Sequence, residues 1–135
     1  MSPTWSRVEE LDEADCARHL ASVTWGRLAW AGPEGPRILP VNFTYVDGAL
    51  YLRTDLYSSI ADATSGAAVA LEADELDDRL STGWSVVVLG RAEQVDDKAE
   101  LAALFHHVRD PWAPGSRPVL VRITPSQVTG RRFVK

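Results

Sequence analysis

The Asp47-Gly48 dipeptide constrains the fold of this chain more than any other short feature. It lies between two runs of β-like composition, "RILPVNFTYV" and "ALYLRT". Asp-Gly readily adopts the left-handed backbone of a two-residue hairpin turn, and it is the strongest short-range hairpin signal when such runs flank it. The sequence therefore predicts an antiparallel pair of strands in the first half of the chain.

Further β-like runs precede and follow this hairpin, and together they predict about six strands. The other runs are "RLAWA", "AAVALEA", "WSVVVLGRAEQV" and "VLVRITPSQV". Turns or short helices separate the runs, without a regular βαβ alternation. We therefore expect one domain over residues 1–135, mainly β with peripheral helices, in which a six-stranded antiparallel sheet forms a barrel.

Three short helices and two glycine features are expected beside these strands. Asp12 caps the first helix, the second runs from about Ser58 to Ser65 with Gly66 as its C-cap, and "DDKAELAALFHHV" forms the third, capped by Asp96 or Asp97. Gly90 is a possible β-bulge. The segments "GPEGP" and "DPWAPGSRP" are expected to be loops, and "DELDDRLSTG" a charged loop.

The charge and residue composition of the chain argue against several classes of protein. The net charge of −5, from 14 basic and 19 acidic residues, argues against nucleic-acid binding. Only Lys98 and Lys135 are lysines, so a phosphate contact would come from arginine, hydroxyl or backbone N–H groups. The single cysteine, Cys16, excludes an intrachain disulfide. We find no apolar run of about 20 residues and no secretory signal pattern, and we expect a cytoplasmic protein with no membrane partner.

The segment from Arg53 to Ser59 has the composition of an anion site. It combines the cation of Arg53 with the hydroxyls of Thr54, Ser58 and Ser59, where a strand gives way to a predicted helix. The N–H groups at a helix N-terminus favour a phosphate. The alternative is an ordinary capped turn, in which Ser58 caps the helix and Arg53 is solvated.

Two other stretches could contact a ligand ring. In "LPVNF", Pro40 interrupts a strand and Asn42 offers both a donor and an acceptor, which fits either a heterocycle or an edge strand. In "TGWSV", Gly83 would allow close backbone approach, Trp84 could stack on a ring and Ser85 could donate to it. Trp84 could equally be a core aromatic residue.

Other polar residues do not form a recognisable catalytic or metal motif. His106 and His107 are adjacent on a predicted helix and point about 100° apart, so we expect them, like His19, to lie on the helix surface. "EADELDD" lacks the glycine of a calcium loop. No Ser/His/Asp arrangement is supported by spacing, and no side chain is identified as an essential general acid or base.

The order of these motifs resembles that of the pyridoxamine 5′-phosphate oxidase-like family of the FMN-binding split-barrel superfamily. The resemblance extends from about Leu11 to Phe133, and "TGWSVVVLGRA" and "LPVNF" are its most specific parts. The supporting stretches are "LDEADCARHLASVTWGRLAW", "PRILPVNFTYVDGALYLRT", "SSIADA" and "VALEADELDDRLSTGWSVVVLGRAEQV".

The resemblance implies a split β-barrel homodimer with FMN at the dimer interface. It implies hydride transfer through the flavin to a small-molecule substrate, or else a non-catalytic flavin carrier. A split barrel hosts several activities, so pyridoxamine phosphate oxidation itself does not carry over. The implied cofactor-binding residues are Pro40, Val41 and Asn42 along the ring, Arg53, Thr54, Ser58 and Ser59 at the phosphate, and Gly83, Trp84 and Ser85 near the same cofactor, with Arg131 and Arg132 at the rim.

One position departs from the family pattern. Family members commonly carry a lysine just after the first serine of the phosphate stretch, where this chain has Ser59. The loss of one charged contact weakens binding by about 1–3 kcal/mol. Arg53 could compensate, the pocket could be empty, or the site could take a deazaflavin or haem instead.

Overall fold

The structure is a computed structural model that describes residues 7–54, 60, 65–108 and 119–135. Ten helices and strands lie in these ranges, and one antiparallel sheet contains all of the strands. In chain order they are β1 (Arg7–Glu10), α1 (Glu13–Ser22), β2 (Trp25–Gly32), β3 (Gly35–Asn42), β4 (Thr44–Val46), β5 (Ala49–Thr54), β6 (Ser65–Asp77), β7 (Thr82–Gln94), α2 (Lys98–Phe105) and β8 (Val119–Val134).

A single residue, Phe43, joins the two ends of the sheet. The hydrogen-bonded order is β3-β2-β6-β7-β8-β5-β4, with β1 also paired to β8. β3 ends at Asn42 and β4 begins at Thr44, so the first and last strands of this order are consecutive in the chain. Two peptide units span at most about 7 Å, so the sheet must curl until its edges meet. The covalent connection therefore brings the two edges together, and β3 also contacts β5. Among the described residues, no hydrogen-bonded pairing joins β3 to β4 or β5, so the barrel is split along this line.

Alternate side chains of the curled sheet point inward and form the main core. The buried residues include Leu28, Leu71, Val86 and Val88 from the central strands. Phe43 is 1 % exposed and belongs to the same core. Its backbone N–H donates to the Thr24 carbonyl at 3.0 Å, which ties the junction of β3 and β4 to the start of β2. The core is thus continuous with the point where the barrel closes.

The two helices cover different parts of the barrel. Asp12 caps α1 by accepting a hydrogen bond from the Asp15 N–H at 2.7 Å, and Cys16 and Leu20 enter the main core. Asp97 caps α2, which covers a second apolar cluster built on Tyr51 and Leu120. Both caps are those expected from the sequence. No helix among the described residues is long and apolar enough to cross a bilayer.

The strand predictions are largely confirmed, and their differences from the structure have local causes. Eight strands replace six because Phe43 divides one predicted run into β3 and β4, and because β1 was not anticipated. Asp47 and Gly48 have φ values of 48° and 81°, so the predicted hairpin turn is confirmed. A register shift at Gly90 confirms the expected bulge.

Several boundaries were wrong. β8 continues to Val134, past the predicted end at Val128, and the expected "GPEGP" loop is reduced to a turn at Pro33 and Glu34. The charged segment expected to be a loop extends β6 as far as Asp77, because its residues pair with β7 down to Thr82. Gly66 is the second residue of β6, at a bulge with φ 82°, and not a helix C-cap. The helix expected over Ser58–Ser65 falls mostly on residues 55–59 and 61–64, outside the described residues. The "DPWAPGSRP" loop also lies outside them.

We predict that Phe43→Ala lowers the free energy of unfolding by about 3–5 kcal/mol, because it opens a cavity where the two sheet edges meet. Val8→Ala is the control: Val8 is 59 % exposed on β1, and its truncation should change the free energy by no more than about 0.5 kcal/mol. Denaturant titration measures both. A loss below about 1 kcal/mol for Phe43→Ala would contradict its closing role.

Candidate functional site

The side of β2, β3, β6 and β7 that points away from the core forms a continuous surface. Residues paired across neighbouring strands lie on the same side of a sheet, so the register identifies this surface directly. We call it the outer face. It consists of Trp25, Arg27 and Ala29 from β2, Ile38, Pro40 and Asn42 from β3, Ala70, Glu72 and Asp74 from β6, and Ser85, Val87 and Leu89 from β7.

One end of the outer face is apolar, at the row that Ala29, Ala70 and Leu89 form. A groove of about 860 Å³ begins at these side chains and continues beyond the outer face to Pro125 of β8. Ile38 is 64 % exposed and Leu89 is 42 % exposed. Exposed apolar residues gathered on one face usually mark a binding or assembly surface.

The structure divides the "LPVNF" stretch between the two sides of the sheet. Pro40 pairs with Arg27 and Asn42 pairs with Trp25, so both lie on the outer face. Val41 pairs with Gly26 and packs against the main core. The Asn42 side-chain amide donates to the Thr24 carbonyl at 3.2 Å. This bond orients the amide at the end of β3.

The "TGWSV" stretch is divided in the same way. Ser85 lies on the outer face opposite Asp74. Trp84 is 8 % exposed, belongs to the main core and stacks on His19 with ring centroids 4.3 Å apart. Within a single chain, Trp84 is therefore a core aromatic residue. A contact between Trp84 and a cofactor ring stays a prediction.

The backbone conformation and packing at position 83 require glycine, independently of any ligand. The φ of Gly83 is 150°, and a Cβ at this position would collide with the carbonyl oxygen of Glu75 and with Leu76 across the β6–β7 hairpin. L-residues with side chains rarely adopt this φ. The close backbone approach inferred from the sequence is thus an approach to β6, and any ligand contact is additional.

The proposed phosphate residues that the structure describes lie at the end of β5. The Arg53 guanidinium stacks over the Phe105 ring of α2 at 4.6 Å from its centroid. Thr54 is 4 % exposed and is the last residue of the strand. Thr44 at the start of β4 pairs with Tyr51, so the end of β5 that carries Arg53 is the end nearest the junction of β3 and β4. Ser58 and Ser59 lie outside the described residues.

A cluster of charged residues on the outer face was not anticipated from the sequence. Arg27 Nη1 donates to Glu72 Oε1 and to Asp74 Oδ2, each at 2.9 Å. Burial, followed by the hydrogen bond and charge of Asp74, raises the pKa of Glu72 to about 7, against the opposing effect of Arg27. The carboxyl group of Glu72 on the outer face therefore ionises near neutral pH.

The signal for this cluster was present in the sequence but weak. Glu72 and Asp74 are two residues apart in β6, and residues two apart in a strand share a face. The sequence interpretation assigned Asp74 to an acid-rich loop. The position of Arg27 opposite Glu72 depends on the pairing of β2 with β6, which local patterns do not predict.

The histidines have different environments. His106 and His107 are exposed at the end of α2, as expected. His19 was expected on the helix surface and is instead half-buried against Trp84. Burial, then the neighbouring charge of Arg18, lowers the His19 pKa. No group of three or more metal-ligating side chains occurs within the described ranges.

Comparison with known proteins identifies the protein family to which this chain belongs. The family model described as pyridoxamine 5′-phosphate oxidase matches residues 12–132. The match covers nearly all of the chain, from α1 to most of β8. The chain therefore belongs to the pyridoxamine 5′-phosphate oxidase family, which confirms the resemblance seen in the sequence.

Individual relatives support the same assignment. An uncharacterized protein of Mycobacterium tuberculosis is 41 % identical over 98 % of this chain and 91 % of its own length. The crystal structure of a candidate pyridoxamine 5′-phosphate oxidase from Corynebacterium glutamicum matches with TM-score 0.79, at 36 % identity over 94 % of each chain. An FAD-binding protein from Mycobacterium smegmatis matches with TM-score 0.78, at 32 % identity over 92 % of this chain and 97 % of its own.

The pKa of Glu72 gives stability a defined pH dependence. Since this pKa is raised from 4.5 to about 7 by folding, the folded state holds more protons between these pH values, and the contribution of Glu72 to stability falls as pH rises through them. We predict that the stability of Glu72→Gln relative to the native chain increases from pH 4.5 to 7 and is constant above pH 7.

Glu9→Gln is the control with the opposite sign. The hydrogen bond from Arg132 holds the pKa of Glu9 below its ordinary value, so the contribution of Glu9 is lost as pH falls. The relative stability of Glu9→Gln should therefore decrease as pH rises through the acid range. Thermal unfolding across pH measures both variants, and a pH-independent difference for Glu72→Gln would contradict the prediction.

Proposed function

We propose that this protein is an FMN-binding oxidoreductase of the pyridoxamine 5′-phosphate oxidase type that works as a homodimer. The observation that carries the proposal is the outer face, where Pro40, Asn42 and Ser85 lie on the same side of the sheet as the apolar row Ala29, Ala70 and Leu89. The family and the FAD-binding relative add support for a flavin. The substrate belongs to the class of small molecules that accept or donate hydride.

The residues present fit the two chemically distinct parts of FMN. A flat tricyclic ring needs an apolar surface with a few polar groups at its edge. On the outer face, Pro40 and Trp25 supply apolar surface, and Asn42 and Ser85 supply polar groups. A terminal phosphate needs cationic and hydroxyl donors, and Arg53 and Thr54 at the end of β5 have that chemistry. Ser58 and Ser59 complete the proposed phosphate set.

Each binding residue would act through a different contact. Pro40 would present its ring surface, since proline has no N–H group to donate. Asn42, oriented by the Thr24 carbonyl, and Ser85 would form hydrogen bonds at the ring edge. Arg53 would supply charge for the phosphate, with its plane held by Phe105. Val41 and Trp84, which pack in the core, would keep these strands in register.

The bound flavin would supply the hydride chemistry, and the protein would supply orientation and electrostatics. Ionisable groups near the proposed ring site include Glu72, whose proton exchanges near neutral pH. The expectation that no side chain is an essential general acid or base stays a prediction. Turnover with NAD(P)H and an electron acceptor tests catalysis, and flavin binding without turnover would make the protein a carrier.

FAD is a second candidate cofactor because the relative from M. smegmatis is an FAD-binding protein. FMN remains the first proposal, since it is the flavin of the family that the sequence resembles. Parallel titrations with FMN, FAD, a deazaflavin and haem distinguish the alternatives. Tight deazaflavin binding with negligible FMN binding would overturn the choice of FMN.

The exposed apolar side chains of the outer face support a dimer. Trp25, Ile38 and Leu89 would lose their contact with water if a second copy covered this face. Burial of apolar surface contributes about 25 cal/mol per Å². A twofold pairing places the same face of both copies in contact, so each proposed ring site would lie at the interface.

We predict that Arg53→Ala weakens FMN binding at least about tenfold, because a charge-assisted phosphate contact contributes roughly 1.5–3 kcal/mol. Arg53→Lys, which keeps the charge but not the planar fork, should give an intermediate loss. Arg79→Ala, in the exposed β6–β7 turn, is the matched control and should bind FMN as the native chain does. Calorimetric titration measures the affinities, and an unchanged value for Arg53→Ala would remove Arg53 from the site.

We also predict a dimer in sedimentation experiments that dissociates in the Leu89→Glu variant, because the new carboxylate would enter the apolar groove. Val8→Glu adds the same charge at an exposed apolar position on β1 and should leave the dimer intact. A native monomer that binds FMN tightly would contradict the proposal that the interface completes the site.

A further inference from the structure

The charged cluster lies directly beside the stretch proposed to carry the flavin ring. Arg27 pairs with Pro40 on one side and with Glu72 on the other. Neighbouring strands are about 4.8 Å apart, so Arg27 is one strand and Glu72 two strands from Pro40. Trp25, which pairs with Asn42, lies 5.0 Å from the Arg27 guanidinium. The proposed ring site and the cluster thus share one face and one set of strands.

The cluster contains one cation and two carboxylates, and it is only partly shielded. The side chains of Arg27, Glu72 and Asp74 are 39 %, 31 % and 17 % exposed. The groups that face Glu72 are Arg27 from β2 and Asp74 from β6 itself, while the outward positions of β7 are the uncharged Ser85 and Val87. One guanidinium therefore cannot neutralise both carboxylates, and water stabilises the remaining charge.

A bound flavin would favour protonation of the Glu72 carboxylate for two reasons. Covering the cluster would remove water from the unneutralised carboxylate, and burial favours the neutral form of an acid. The phosphate would add negative charge to the same molecule, and like charge also favours protonation. The Glu72 pKa of about 7 means that little change is needed for the proton to bind at physiological pH.

We propose that the Arg27–Glu72–Asp74 cluster takes up one proton when flavin binds, so that flavin affinity is linked to pH through Glu72. This inference rests on the proposed function and adds a regulatory property to that site. Proton uptake leaves one guanidinium, one carboxylate and one carboxylic acid, a cluster with no net charge. The carboxylic acid can then donate a hydrogen bond that a carboxylate cannot.

The test is FMN affinity measured by fluorescence titration from pH 6 to pH 9. The Kd of the native chain should be nearly constant below pH 7 and should increase by about fivefold or more between pH 7 and pH 9. Glu72→Gln should remove this increase and bind FMN more tightly than the native chain at pH 9. The second phosphate pKa of FMN is about 6, so comparison above pH 7 and against Glu72→Gln separates its titration from that of Glu72.

Two further variants exclude a purely structural effect. Asp74→Asn retains Glu72 but removes its acidic neighbour, so the pH at which affinity begins to fall should move down. Glu93→Gln removes another outward carboxylate, one that is ion-paired with Arg122, and should retain the native pH dependence. Calorimetry in two buffers of different ionisation enthalpy counts the protons directly, with net uptake expected for the native chain at pH 8 and none for Glu72→Gln.

The outcomes separate this inference from the function on which it rests. Failure to bind FMN at every pH would overturn the proposed function. Tight binding with a Kd that is the same at pH 7 and pH 9, or the same slope in Glu72→Gln, would overturn proton linkage alone. Sedimentation at pH 7 and pH 9 should show the same oligomeric state. A change of oligomeric state that accounts for the pH dependence of FMN affinity would also overturn the inference.

Discussion

The connection through Phe43 is the constraint on which the rest of the structure depends. It joins strands at opposite ends of the hydrogen-bonded order with one residue, so a flat sheet is impossible for this chain. The curl that results gives the sheet an inside, which the main core fills together with α1, and an outside, part of which α2 covers. The buried phenyl ring and the bond from Phe43 N–H to Thr24 hold that connection in place.

The same curl explains why the candidate site is on the outer face. Inward positions are occupied by packed side chains, whereas the outward positions of β2, β3, β6 and β7 form a groove with exposed apolar residues. The charged cluster lies at one end of this surface, where strand pairing brings Arg27 against Glu72. Packing and site are therefore two consequences of one alternating pattern along the strands.

Local sequence signals predicted those parts of the fold that depend on near neighbours. The turn at Asp47-Gly48 and the helix caps at Asp12 and Asp97 each involve residues within four positions of one another, and all three are confirmed. The end of β6 was missed because its acidic residues resemble a loop. Their partners on β7 stabilise the strand, and pairing partners are not visible in composition.

The site was predictable in part for the same reason. Alternation in "LPVNF" predicts that Pro40 and Asn42 share a face, and they do. Whether Trp84 faces a ligand or the core depends on α1, which brings His19 against its ring. The Arg27–Glu72 contact joins residues 45 positions apart, and only the assembled sheet brings them together.

The central claim is that a flavin binds to the outer face of this barrel. The most direct measurement is the absorption spectrum of the freshly purified protein, followed by mass spectrometry of whatever it releases on denaturation. We predict flavin absorption bands and release of FMN. A colourless protein that stays colourless after incubation with excess FMN and FAD, with no flavin mass released, would contradict it.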